Sequence, residues 1–91
     1  MSDGPYHVEI TATALRCLRK LPSKVVGACI GFIAGPVAVQ PYRLGKSLQR
    51  ELVGHYSARR GSYRVVYRID DGTRTVIVVR VDHRGDVYRS R

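Results

Sequence analysis

Arginine, histidine, serine and tyrosine crowd the second half of this chain in an order that suits phosphate chemistry. His55, Ser57, Arg59 and Arg60 lie close together, Arg64 and Arg68 follow, and His83, Arg84 and Tyr88 come near the end. A guanidinium is a planar fork of donors that meets a phosphate bidentately, which an ammonium cannot do. Histidine exchanges protons near neutral pH and is a natural acid or base beside such a phosphate. Metal-dependent nucleases need paired carboxylates to hold their cations. No such cluster accompanies these residues, and Asp70-Asp71 belong to a turn. The set therefore predicts phosphate binding and proton transfer with no metal and no cofactor.

The whole-chain charge agrees. Sixteen Lys and Arg oppose seven Asp and Glu, a formal net charge of +9, and thirteen of the sixteen are arginine. So basic a chain needs a polyanion or an acidic protein as partner. Nucleic acid comes first. A membrane surface is the weaker fit, because no segment pairs a basic helical face with a strongly apolar one. Cys17 and Cys29 form neither a metal site nor a disulfide framework and read as reduced, buried thiols. The opening residues carry an acid and no apolar run, and no stretch approaches membrane-spanning length, so a cytoplasmic location is expected.

The elements that must position these side chains fit one domain, residues 1–91. Tyr6 to Ile10 alternates apolar and polar residues as a short strand does. Thr11 or Thr13 then caps a helix with Leu15, Leu18 and Leu21 on one side. Pro22 closes it, Ser23 caps a second, apolar helix, and Gly35-Pro36 ends that one. Val37 to Gln49 reads as a connecting loop. From Leu52 the period becomes two: LVGHYSA, YRVVYRI and TVIVVRV are strand-like runs. ARRGS separates the first pair and Asp70-Asp71-Gly72 the second, so neighbours are antiparallel. The predicted class is α+β: an N-terminal strand, a helical hairpin, an antiparallel sheet of three further strands and a short C-terminal tail.

Alternation then assigns faces. Tyr63, Val65, Tyr67 and Ile69 share the side that meets the helices. Arg64, Val66 and Arg68 share the open side, together with His55 and Ser57 of the preceding strand. His83, Arg84 and Tyr88 are expected on that same open face, and Arg59 and Arg60 in the turn beside it.

Residues 57–70 (SARRGSYRVVYRID) and 81–89 (VDHRGDVYR), preceded by LGKSL and LVG, resemble the RelE/ParE toxin superfamily of bacterial type II toxin–antitoxin systems. The likeness covers nearly the whole chain and is nearer to the RelE branch, in its mycobacterial or actinobacterial forms. It implies a RelE-like fold and a ribosome-dependent mRNA endonuclease, in which the ribose 2′-hydroxyl attacks the adjacent phosphate and translation stops. It implies that Arg64 and Arg84 stabilise phosphate charge and that Tyr88 stacks on a base or assists proton transfer. By counting back from Arg64, the family's two lysines on the preceding strand are replaced here by His55 and Ser57. His55 then becomes the candidate general base, with His83 a second acid–base group and Ser57, Arg59, Arg60 and Arg68 binding substrate. The implied partners are the ribosome, mRNA and an antitoxin whose acidic, partly disordered segment folds on the basic face in a hetero-oligomer. Two other readings share the fold: a ParE-like, non-enzymatic inhibitor of DNA gyrase, and a weakened toxin that survives as an antitoxin-binding module.

Overall fold

A computed structural model describes residues 5–48 and 53–83. Strand β1 (His7–Ile10) leads into α1 (Ala12–Arg19) and α2 (Ser23–Phe32). A short α3 (Pro41–Leu44) follows, then β2 (Lys46–Ser47), β3 (His55–Arg60), β4 (Tyr63–Asp70) and β5 (Thr75–His83). The strands form one sheet in the order β1-β5-β4-β3-β2, with β1 parallel to β5 and the other neighbours antiparallel. The α+β class is as expected; β2 is a strand beyond those predicted.

Thr11 sets the angle of the helical hairpin. Its hydroxyl accepts from the Ala14 N–H at 3.2 Å, as an N-cap should, and donates to the Val78 carbonyl at 3.0 Å. The start of α1 is thus tied to β5, and Ala14, Leu18 and Leu21 turn inward. The expected stripe began at Leu15, which is instead 44% exposed. A methyl group at position 14 lets the helix lie close on the sheet, in the rotation that the Thr11 bond to Val78 sets. Ser23 is the first residue of α2 and Pro22 its cap, with the Pro22 carbonyl accepting from Val25 and Val26.

Gly35-Pro36 does not end the second helix. The chain continues through a wide π-helical turn, Ile33–Val37, with Pro36 inside it. Proline has no N–H to donate, and its ring clashes with the carbonyl four residues back in a regular helix. Widening one turn removes that conflict. Cys29, Phe32, Ile33 and Val37 all reach the core as a result. Burial pushes the Cys29 thiol up to about 11, so it stays protonated.

Across the sheet, Tyr63, Val65 and Tyr67 face the helices with Ala58, Val76, Val78 and Val81. The two tyrosines anchor by their hydroxyls, Tyr63 to the Ala28 carbonyl at 3.1 Å and Tyr67 to that of Pro41 at 2.6 Å. Burial raises both phenols, Tyr67 to about 12. The predicted separator ARRGS shrinks to Gly61-Ser62, since β3 runs through Arg60 and Gly61 adopts φ +60°. Long basic side chains remain solvated while their backbone stays in the ladder.

Two irregularities matter for function. Opposite Val66 and Tyr67 the register slips: Val66 pairs with Arg80 but Tyr67 with Val78, leaving Val79 as an extra residue of β5. Strict alternation from Val76 and Val78 would bury Arg80. The bulge reverses the phase, so Arg80 and Asp82 face outward and Val81 joins the core. The second irregularity is Gly45. A methyl group there would run into the Tyr67 hydroxyl and come within 3.1 Å of Tyr56 Cβ. Glycine lets the chain pass over the buried Tyr67 and the half-buried Tyr56 and emerge as β2 along the edge of β3.

Candidate active site

Side chains directly opposite on paired strands share a face, so the registers lay out the open side of the sheet as rows. Arg59, Arg64 and Asp82 form the row nearest the β3–β4 turn. Lys46, Ser57, Val66 and Arg80 form the next. His55, Arg68 and Ile77 form the third. Rows two residues apart stand about 7 Å from one another.

The first two rows border a groove of about 490 Å³ lined by Leu44, Lys46, Leu48, Ser57, Arg59 and Arg64. It continues past Ser57 and Arg64 to Val79, Arg80 and Asp82. Arg80 donates to both oxygens of Asp82, from Nε at 3.1 Å and Nη2 at 3.3 Å. That contact with Asp82 raises the Arg80 pKa further. Arg64 Nη2 approaches the same carboxylate at 3.6 Å, a looser pairing, and its side chain is 52% exposed. Among the described residues Lys46 and Arg59 have no ion-pair partner. Among the described residues, four cations therefore share one carboxylate on this half of the face. Arg59 and Arg64 stand directly opposite each other, a like-charge pairing that an anion between them would relieve.

Of the residues expected to act together, the structure gathers Ser57, Arg59 and Arg64. His55 and Arg68 lie on the same face in the third row, about 13 Å along the strand from Arg64. The His55 Nδ1 atom is buried with no hydrogen-bond partner among the described residues. Three expectations are corrected. Arg59, expected in the turn, is in β3 opposite Arg64. Arg60 is in a strand, opposite Tyr63, with its guanidinium over the Phe32 ring at 5.4 Å. His83 is also opposite Tyr63, on the helix side, with Nε2 in hydrogen-bond contact with Ser62 Oγ at 3.1 Å. The bulge that brings Asp82 outward turns its neighbour His83 away. Arg84 and Tyr88 lie outside the described residues.

Sequence reading missed Lys46, Arg80 and Asp82. A two-residue strand is too short for periodicity to show, which hides Lys46. The Val78-Val79 doublet ahead of Arg80 was the available sign of a bulge. Among the described residues no group of three His, Cys, Asp or Glu side chains converges to hold a metal, and no helix is long and apolar enough to cross a membrane.

A family model for the ParE toxin of type II toxin–antitoxin systems matches residues 8–88. Toxin RelG of Mycobacterium tuberculosis is 53% identical over 85 residues, covering 93% of this chain and 98% of its own. Toxin RelE of the same organism is 53% identical over 87 residues, covering 96% and 90%. A chain in the crystal structure of the M. tuberculosis RelBE2 toxin–antitoxin complex superposes with a TM-score of 0.86 at 52% identity, covering 89% of this chain and all of that one. A chain of the intact Escherichia coli RelBE complex gives 0.70 at 27% identity, covering 86% and 95%. This chain belongs to the RelE/ParE superfamily of type II toxins. Within it, the chain falls in the RelE branch.

Proposed function

We propose that this toxin is a ribosome-dependent mRNA endonuclease. The observation that carries the reading is the Arg59–Arg64 pair, set opposite one another over an open groove where, among the described residues, Asp82 is the one carboxylate that pairs with either. Two guanidiniums so placed grip one phosphodiester group and offset the charge that grows on its non-bridging oxygens. The ribose 2′-oxygen attacks the neighbouring phosphorus while the bond to the 5′-oxygen breaks. The 2′-hydroxyl proton passes to a base and the departing 5′-oxygen takes one up. The products are a 2′,3′-cyclic phosphate and a 5′-hydroxyl, and no water is consumed. Arg84 and Tyr88, implied by the family pattern, complete the proposed site. His55, a row beyond Ser57, fits a role at the flanking nucleotide better than one at the scissile phosphate.

The cationic face also suits an antitoxin. An acidic segment that folds over Arg59 and Arg64 would exclude RNA by occupying the same fork donors. The RelBE complexes are the relatives that support such a partner.

Primer extension on translated mRNA, with purified toxin and with or without ribosomes, tests the activity. Codon-spaced cuts that need the ribosome are expected. Intact mRNA in the presence of ribosomes, together with loss of DNA gyrase supercoiling activity, would replace this reading with the ParE-like one.

A further inference from the structure

Lys46 sits on a strand of only two residues, yet its position is closely determined. Its backbone pairs with Ser57, and Ser57 pairs with Val66 beside Arg64. Gly45 and the Tyr67 hydroxyl bond to Pro41 bring the chain to that edge. Lys46, Arg59 and Arg64 line one groove, and the small Ser57 side chain lies between them. Lys46 is exposed, and among the described residues no carboxylate neutralises it. A lysine is a compact charge on a flexible stem and can reach over a serine, where a third rigid fork would crowd Arg59 and Arg64.

We propose that Lys46, delivered by the edge strand β2, is a further substrate-binding residue that contacts a non-bridging oxygen of the RNA phosphate held by Arg64. The site then spans three strands. Ser57 supplies the space, Arg59 and Arg64 supply the forks, and Lys46 closes the groove from its outer side. This rests on the mRNA-cleavage reading for its biological substrate, but RNA binding can be measured without cleavage.

A lysine on an edge strand has a plain alternative role, which is to discourage pairing with another chain's strand. The two roles differ in salt dependence. Each phosphate neutralised on a single strand contributes about 0.7 to the slope of log affinity against log salt. A solvated edge charge facing away from the RNA contributes nothing comparable.

The experiment uses free toxin and a short, non-cleavable 2′-O-methyl oligoribonucleotide, titrated across a salt series. Lys46→Ala and Lys46→Gln are expected to weaken binding and flatten the slope by about 0.7, with far-UV circular dichroism unchanged. Lys46→Arg should keep the slope. Moving the charge one strand inward, with Lys46→Ala and Ser57→Lys together, should restore it. A wild-type slope in both the Ala and Gln variants overturns the proposal. If wild-type toxin fails to cut mRNA on ribosomes while these slopes still differ, the ribosome reading falls and the Lys46 contact stands.

Discussion

The two ends of the open face use the same kind of residue and are not equivalent. At one end Arg64 faces Arg59 across the ladder, with Lys46 a row away and Asp82 in loose contact. At the other, Arg68 sits between His55 and Ile77, with no second cation opposite it among the described residues. Regular strand alternation brought both arginines outward. What separates them is irregular structure: a two-residue edge strand and a bulge in β5. Charge on a sheet becomes a site only where neighbouring strands aim further charge at the same volume.

The sharpest way to break this comparison is to truncate each arginine. Arg64→Ala is expected to slow ribosome-dependent cleavage by about a hundredfold or more, as for other removed charge-stabilising donors. Arg68→Ala is a surface change away from such a cluster and should alter the rate by about twofold at most. Initial rates on the same translated message decide it. Equal losses would mean that the rows do not mark out the site.

The edge strand offers the next largest effect. Gly45→Ala forces a methyl group against the Tyr67 hydroxyl, and overpacking of this kind costs about 1–3 kcal/mol. Tyr67→Phe removes the hydroxyl and leaves the Pro41 carbonyl without its donor, at about 1–3 kcal/mol. The two changes should not add. In the Phe background the alanine has lost the atom it strikes, so the double variant should be more stable than the sum of single effects allows. Urea unfolding of the four proteins measures the coupling. Strict additivity would show that Gly45 and Tyr67 do not jointly place β2.

Much of this architecture was legible in the sequence, and the reason is period. Tyr63 to Asp70 alternates except at Val66, so the faces of β4, including Arg64 and Arg68, could be read directly. The helical hairpin showed its spacing, though not its rotation, which depends on the Thr11 contact with Val78 across the fold. Failure came where one residue breaks the count. The extra Val79 reversed the expected side of His83 and brought Asp82 onto the open face. Proline at position 36 signalled a helix end but was absorbed by a π turn. Lys46 was invisible because nothing in Lys46-Ser47 reveals strand pairing. The resemblance pointed to a departure at His55 and Ser57, and only the register showed a lysine standing beside that serine.

Asp82 sharpens the comparison in a subtler way. Among the described residues it is the carboxylate that stands amid four cations, and a phosphate must compete with it for Arg64. Asp82→Asn should therefore tighten binding of a non-cleavable oligoribonucleotide. The gain should be no more than about fivefold, since an exposed pair contributes about 1 kcal/mol or less. Steeper salt dependence should accompany it. Weaker binding in this variant would instead mean that Asp82 holds Arg64 in its working position.

The smallest effect belongs beyond the Arg68 end, where Asp71 accepts hydrogen bonds from the Tyr6 hydroxyl at 2.8 Å and from the Tyr42 hydroxyl. These bonds lower the Asp71 pKa, and the bond to Asp71 raises Tyr42 from 10.0 to about 12. A depressed carboxylate stabilises the fold above its unfolded value of 3.8, and that contribution fades as pH falls through the folded value. A raised phenol stabilises the fold below its unfolded value of 10.0, and the contribution is lost as pH climbs towards about 12. The stability difference between wild type and Tyr42→Phe should thus be flat from neutral pH to 10 and narrow from 10 to about 12. Denaturant midpoints of the two proteins over that range measure it, with the difference cancelling groups common to both. Because Asp71 lies beyond Arg68 and away from Arg64, Tyr42→Phe should leave the RNA salt slope at its wild-type value. A slope that changed with Tyr42 would join the clasp to the groove through α3 and β2, and the two ends of the face could no longer be treated as independent.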